Sequence, residues 1–126
     1  MSDLVSIVMP TYNTSKYIED SIRSVLSQTH KEWELLIVDD CSEDNTDEII
    51  APYLKDTRIH YLKNEKNMGA ALSRNRAIRE AKGKYIAFLD SDDTWRADKL
   101  KKQIQFMKTN NYAFTFTDFI IRMNEK

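Results

Sequence analysis

A single α/β domain, with a mostly parallel sheet covered by helices on both faces, is predicted by three features of the sequence. Apolar runs of about five residues alternate with stretches of helical periodicity, strand then helix four times, with a final strand. The runs are apolar nearly throughout, as strands buried on both faces are. Polar residues crowd the ends of three of them, at Pro10 to Asn13, Asp39-Asp40 and Asp90 to Asp93. With right-handed crossovers and a strand order of 3-2-1-4, these three ends would meet at one edge of the sheet.

Val5 to Met9 reads as the first strand, and Pro10-Thr-Tyr-Asn13 should stop it, since proline donates nothing to a ladder. Ser15 is the expected N-cap of a helix running to about Gln28, with Ile18, Ile22, Val25 and Leu26 on one face. Trp33 to Val38 is the second strand. Turn chemistry follows from Cys41 to Asn45, with Asp44 placed to cap a second helix. Pro52 removes an interior hydrogen bond there, so that helix should be short or kinked. Arg58 to Leu62 is a third strand, and Ala70 to about Lys82 a third helix stopped by Gly83 as C-cap. The central strand is Tyr85 to Leu89. A fourth helix spans about Arg96 to Thr109, and Tyr112 to Thr117 makes a fifth strand.

The chain of 126 residues is long enough to bury one core, and 41% apolar content argues against disorder. Nineteen basic and twenty acidic side chains nearly cancel, which argues against a general electrostatic grip on nucleic acid or an anionic membrane. One cysteine, Cys41, permits no intrachain disulfide and fits a reducing cytosol. No apolar run approaches a membrane span, and the first residues lack signal-peptide character. The chain stops nine residues after its fifth apolar run, which suggests a fragment or an N-terminal half.

Asp90, Asp92 and Asp93 repel one another unless something positive lies among them. A hard divalent cation, Mg²⁺ or Mn²⁺, suits such oxygen ligands, and a solvated acidic turn before a helix is the plainer alternative. No Gly-x-Gly-x-x-Gly follows the first strand and no Gly-Lys-Ser/Thr is present, so any phosphate would be held through a metal on the acids. Tyr12 could stack on a base or simply pack at the strand end. Arg74 and Arg76 lie near a helix start, where anions bind, whereas Arg79 and Lys82 read as a solvated face. His30, His60, Trp33 and Trp95 read as structural, and Cys41 as inert.

Several blocks together resemble the family 2 glycosyltransferases of the GT-A fold. They are Val5-Ser-Ile-Val-Met-Pro-Thr-Tyr-Asn13, Ser24 to Thr29, Val38 to Thr46, Asn67 to Arg76, Phe88-Leu-Asp-Ser-Asp-Asp-Thr-Trp95, and Lys99-Leu100 with Gln103. The resemblance spans nearly the whole chain in order. It implies a Rossmann-like fold in which residues 1–126 form the part that binds a nucleotide-diphospho-sugar, cut short before the acceptor-binding part. The implied activity is inverting transfer of a sugar from a nucleoside diphosphate donor, UDP foremost, to an acceptor hydroxyl on a glycan or lipid-linked molecule. The implied setting is the cytoplasm, at the inner face of the membrane, in surface-polysaccharide assembly.

By the same resemblance, Pro10, Thr11 and Tyr12 line the nucleotide pocket, and Asp40 binds the base with Asp39 beside it. Arg74 and Arg76 lie near ribose or diphosphate. Asp90-Ser91-Asp92 is the Asp-x-Asp motif, with Asp92 the first metal ligand, Asp90 directed at ribose or metal, and Asp93 helping. The general base lies beyond the chain's end, so the chain would bind donor without turnover. Cys41 stands where this family often has glycine, which implies an adjusted turn. A haloacid-dehalogenase phosphatase is the enzyme rival, because Asp90-Ser-Asp-Asp-Thr94 fits its nucleophile motif, but the acidic pair Asp39-Asp40 precedes the motif instead of following it. A receiver domain is the non-enzyme rival, but its acidic pair should follow the first strand. A relic that only binds nucleotide would keep the same pocket.

Overall fold

The computed structural model describes residues 3–110 and 121–122. Its elements are β1 (Val5–Thr11), α1 (Ile18–Leu26), β2 (Trp33–Asp39), α2 (Thr46–Ile50), a 3₁₀ turn (Ala51–Lys55), β3 (Ile59–Lys63), α3 (Ala70–Glu80), β4 (Tyr85–Phe88), α4 (Lys99–Asn110) and β5 (Ile121–Arg122). The sheet order is β3-β2-β1-β4-β5. The first four strands are parallel, and β5 is antiparallel to β4. The expected order 3-2-1-4 is therefore present. The strand expected at Tyr112 to Thr117 lies outside the described residues.

Strand side chains alternate between two cores. Val5, Ile7 and Met9, with Leu35, Ile37 and Ala87, pack against α1, α2 and α4 through Ile18, Ile22, Ile50, Leu100, Ile104 and Met107. Val8, Leu36, Val38 and Ile86 pack against Ala77 and Ile78 of α3. Helices thus cover both faces. The second helical segment is short, as Pro52 predicts: α2 stops at Ile50 and the chain tightens into the 3₁₀ turn.

Four local expectations are corrected. Pro10 does not stop β1, which stays in register to Thr11 opposite Asp39. The Val8 carbonyl accepts from Leu89, so alternation turns Pro10 toward β4, whose pairing with β1 ends at Phe88. The missing N–H falls where no partner would use it.

Ser15 does not cap α1. A turn at Thr14 to Tyr17 precedes a helix beginning at Ile18, and the Ser15 amide donates to Asp44 Oδ2 at 3.1 Å. Asp44 also accepts the Thr46 amide, so it serves the first turn of α2.

Gly83 is not the C-cap of α3, which ends at Ala81 with extended backbone. Glycine is required at 83 by close approach, because a Cβ there would lie 2.7 Å from Leu4 O, Ser6 N and Ser6 Oγ. Beginning α4 at Lys99, after Arg96, follows from Gln28, which occupies the groups at its start as described below.

Candidate functional site

An open cleft of about 250 Å³ lies at the carboxyl ends of β1, β2 and β4, at the switch point between β1 and β4. It is lined by Pro10, Thr11, Tyr12 and Thr14 from the end of β1, Asp40 from β2, Ala70, Ser73 and Arg74 from α3, and Asp90, Ser91 and Asp92 from the end of β4. Of the residues expected in the site, eight converge here, and Asp39, Arg76 and Asp93 do not line the cleft.

The β1 end is set by a turn at Asn13, whose φ of 53° is left-handed and tolerated by asparagine. Asn13 is tied across to the β2 end: its amide donates to Ser42 Oγ at 2.9 Å, and its Oδ1 accepts from the Glu43 amide at 2.8 Å. Tyr12 is 45% exposed and lines the cleft, so it is not packed into the core.

Adjacent Asp39 and Asp40 part company: Asp39 is the last residue of β2, and Asp40 just after it, its amide still donating to Thr11 O, turns the other way. Asp39 is buried and accepts from the Ser42 amide at 2.8 Å and from the Tyr61 hydroxyl. Burial and that bond push the Tyr61 hydroxyl well above its ordinary pKa, so it remains a donor.

Asp40 turns to the cleft and to the loop before α3. Its Oδ1 accepts from Asn64 Nδ2 at 2.9 Å and the Met68 amide at 2.6 Å, and its Oδ2 from the Gly69 amide at 2.8 Å. Burial alone would raise its pKa, but these three donors outweigh it and hold the carboxyl below the usual range. Asp40 is therefore an ionised acceptor at neutral pH.

Cys41 follows with φ of 66°, a conformation that glycine adopts without strain. The adjusted turn expected there amounts to a cysteine held left-handed, its thiol donating to Asn64 O at 3.1 Å.

Arg74 reaches the acids, with Nη2 3.6 Å from Asp90 Oδ1. Arg76, two residues on, lies on another face and donates instead to Lys63 O at 2.6 Å and Asn64 Oδ1 at 2.9 Å.

Asp90, Asp92 and Asp93 are exposed, and each offers a carboxylate oxygen within 4.8 Å of the others. Hard oxygen donors at that spacing can hold a hard divalent cation. The loop carrying them is fastened from behind by α1. The fully buried Ser21 hydroxyl is shared between the carbonyls of Ser91, at 3.0 Å, and Asp93. Buried Gln28 donates to Arg96 O at 2.7 Å and accepts the Leu100 amide at 3.1 Å.

Thr14, Ala70, Ser73, Ser21, Gln28 and Asn64 were not singled out from the sequence. Ala70 and Ser73 could have been found, because positions 73 and 74 lie three and four residues after position 70, the spacings that bring helix side chains together. Ser21, Gln28 and Asn64 carry no local signal, since the partners that tie them to the site are distant in sequence, whereas Thr14 meets the Thr11 hydroxyl only three residues back. Among the described residues no helix is long and apolar enough to cross a membrane.

The sequence model of glycosyl transferase family 2 matches residues 6–125. TuaG of Bacillus subtilis strain 168, a glycosyltransferase named for teichuronic acid biosynthesis, is 53% identical over 117 residues, 92% of this chain and 46% of its own length. WfgD of Escherichia coli, named UDP-Glc:alpha-D-GlcNAc-diphosphoundecaprenol beta-1,3-glucosyltransferase, is 50% identical over 96% of this chain and 47% of its own. The chain thus spans about half the length of these curated relatives. The crystal structure of S. aureus TarS 1-349 in complex with UDP-GlcNAc superposes with a TM-score of 0.80 at 34% identity, covering 85% of this chain and 32% of that one.

Proposed function

The chain belongs to glycosyl transferase family 2, and on that premise we propose that it is the donor-binding part of an enzyme that moves a sugar, with inversion, from a nucleoside diphosphate to an acceptor hydroxyl. The observation that carries this reading is the meeting of Pro10, Thr11, Tyr12, Asp40, Arg74, Asp90, Ser91 and Asp92 in one cleft from four separate stretches of chain.

UDP is the proposed nucleotide. Tyr12 offers its exposed ring for stacking on the base. Asp40, ionised and at the cleft wall, accepts a hydrogen bond from a base N–H. Uracil carries that N–H at N3, where cytosine carries a lone pair and bears its donor on the 4-amino group instead, so the two pyrimidines present opposite polarity at two adjacent positions. Arg74 is placed for diphosphate oxygens, while Asp39 and Arg76 serve the site from outside the cleft.

Asp92 and Asp90, with Asp93 helping, would hold Mn²⁺ or Mg²⁺. Bound there, such an ion supplies Lewis-acid stabilisation of the departing diphosphate. The acceptor hydroxyl also needs a base to take its proton, and none of the cleft carboxylates is given that role. A glycan or lipid-linked acceptor, the class in the name of WfgD, would place the reaction at the inner face of the membrane.

Calorimetric titration with UDP tests the reading, run once with Mn²⁺ and once with EDTA. Binding should be at least about tenfold tighter with Mn²⁺, the scale on which perturbing a metal site alters affinity. Equal binding under both conditions refutes the metal role, and no binding under either refutes the donor site.

A further inference from the structure

We propose that Asn64 is a positioning residue for nucleobase selectivity, and that Arg76 fixes the direction in which the Asn64 amide points. The inference rests on the base-reading role given to Asp40 above.

Asn64 is buried and follows β3, outside the cleft lining. Its Nδ2 donates to Asp40 Oδ1 and to Ser73 Oγ, both at 2.9 Å. Its backbone amide donates to Asp39 O at 2.8 Å, and its carbonyl accepts from Cys41. One side chain thus joins the β2 end to α3.

The two oxygens of Asp40 are treated unequally. Oδ1 accepts two donors, from Asn64 and Met68, whereas Oδ2 accepts only the Gly69 amide among the described residues. A carboxylate oxygen has two lone-pair sites, so Oδ1 is filled and Oδ2 keeps one for a ligand. Asn64 supplies half of what fills Oδ1 and, with the Met68 and Gly69 amides, sets how the carboxylate is turned.

An asparagine amide could point either way. Here Arg76 Nη1 donates to Oδ1 of Asn64 at 2.9 Å. Reversed, the amide oxygen would face the Asp40 carboxylate and the NH₂ would face the guanidinium, which is repulsive at both ends. Arg76, expected near the diphosphate, thereby acts on the base through one intermediate.

The test compares UDP with CDP, both titrated in Mn²⁺, on the whole chain and four variants. Asp40→Asn should collapse the preference for UDP. Asn64→Asp, which sets an acceptor against Asp40, should reduce that preference by about tenfold, the scale of one hydrogen bond to a charged group. Arg76→Met, at a half-buried position, should reduce it by about threefold as a neighbour acting indirectly. Arg76→Lys, which restores a donor, should stay near the parent.

If Asn64→Asp fails to fold, Arg76→Met carries the test. A role in folding alone would lower both affinities equally and leave the ratio unmoved. An unmoved ratio in both variants, with the ratio lost in Asp40→Asn, overturns the role of Asn64 and leaves base reading intact. An unmoved ratio in Asp40→Asn overturns base reading and this inference with it.

Discussion

Removing the Ser21 hydroxyl tests how the acidic loop is held. The hydroxyl is fully buried and is shared between the carbonyls of Ser91, at 3.0 Å, and Asp93, so one proton serves two acceptors. Ser21→Ala strips the donor and leaves the helix backbone unchanged. A buried group left unpaired costs about 1–3 kcal/mol, and the lower half of that range applies because each carbonyl held only part of the bond. Alanine returns about 0.5 kcal/mol in helix propensity. The net loss is then about 1 kcal/mol, which in a domain near 100 residues lowers Tm by about 4–8 °C.

The loop from Asp90 to Asp93 loses its tether in the same step. The Mn²⁺-dependent part of UDP binding should fall by about three- to tenfold, as loss of an outer support does at metal sites, while binding in EDTA stays the same. Scanning calorimetry and paired titrations measure both effects. A Tm within about 1 °C of the parent would mean that the hydroxyl holds nothing. An equal loss of UDP affinity with and without Mn²⁺ would mean that it does not act through the acids.

Three further outcomes are expected. Asp92→Asn should weaken UDP binding in Mn²⁺ by at least about tenfold and leave binding in EDTA unaltered; equal affinity in Mn²⁺ would remove Asp92 from the metal set. Gly83→Ala should cost about 1–3 kcal/mol by overpacking, read as a lower urea midpoint with an unchanged slope, because the added Cβ meets backbone atoms that cannot step aside. On acidification, stability should hold down to about pH 4 and then fall, since carboxyls with depressed pKa keep their contribution above the unfolded value and lose it as pH drops through the folded one. For Asp56 the cause is first its bond to Arg58, and for Asp40 and Asp44 donors that outweigh burial. A midpoint that fails to decline between about pH 4 and 2 would contradict those partners.

The sheet was readable because buried strands and helical faces announce themselves locally. Strand order and the three polar ends then placed the cleft by topology, before any side-chain detail. What local pattern could not divide was neighbours of like chemistry. Asp39 and Asp40 look equivalent in sequence, yet strand alternation sends one to Tyr61 and the other to the cleft. Arg74 and Arg76 look equivalent too, yet two residues on a helix are about 200° apart. Pro10 misled because its lost donor matters only on the side where β4 still runs. Ser21, Gln28 and Asn64 were invisible because their partners lie as far as 72 residues away.

The central place of β1 bears on how the chain can be made. β1 precedes the other strands of this sheet and is flanked by β2 and by β4, so its second neighbour arrives only when residue 85 and those after it have been added. A strand with one side unpaired must wait through that interval with its edge bare, which is the condition that invites misassociation. The cleft inherits the delay, since one wall is the end of β1 and the opposite wall the end of β4. Assembly of the binding site therefore comes late, and truncations before residue 93 should leave a nascent chain that no nucleotide can rescue.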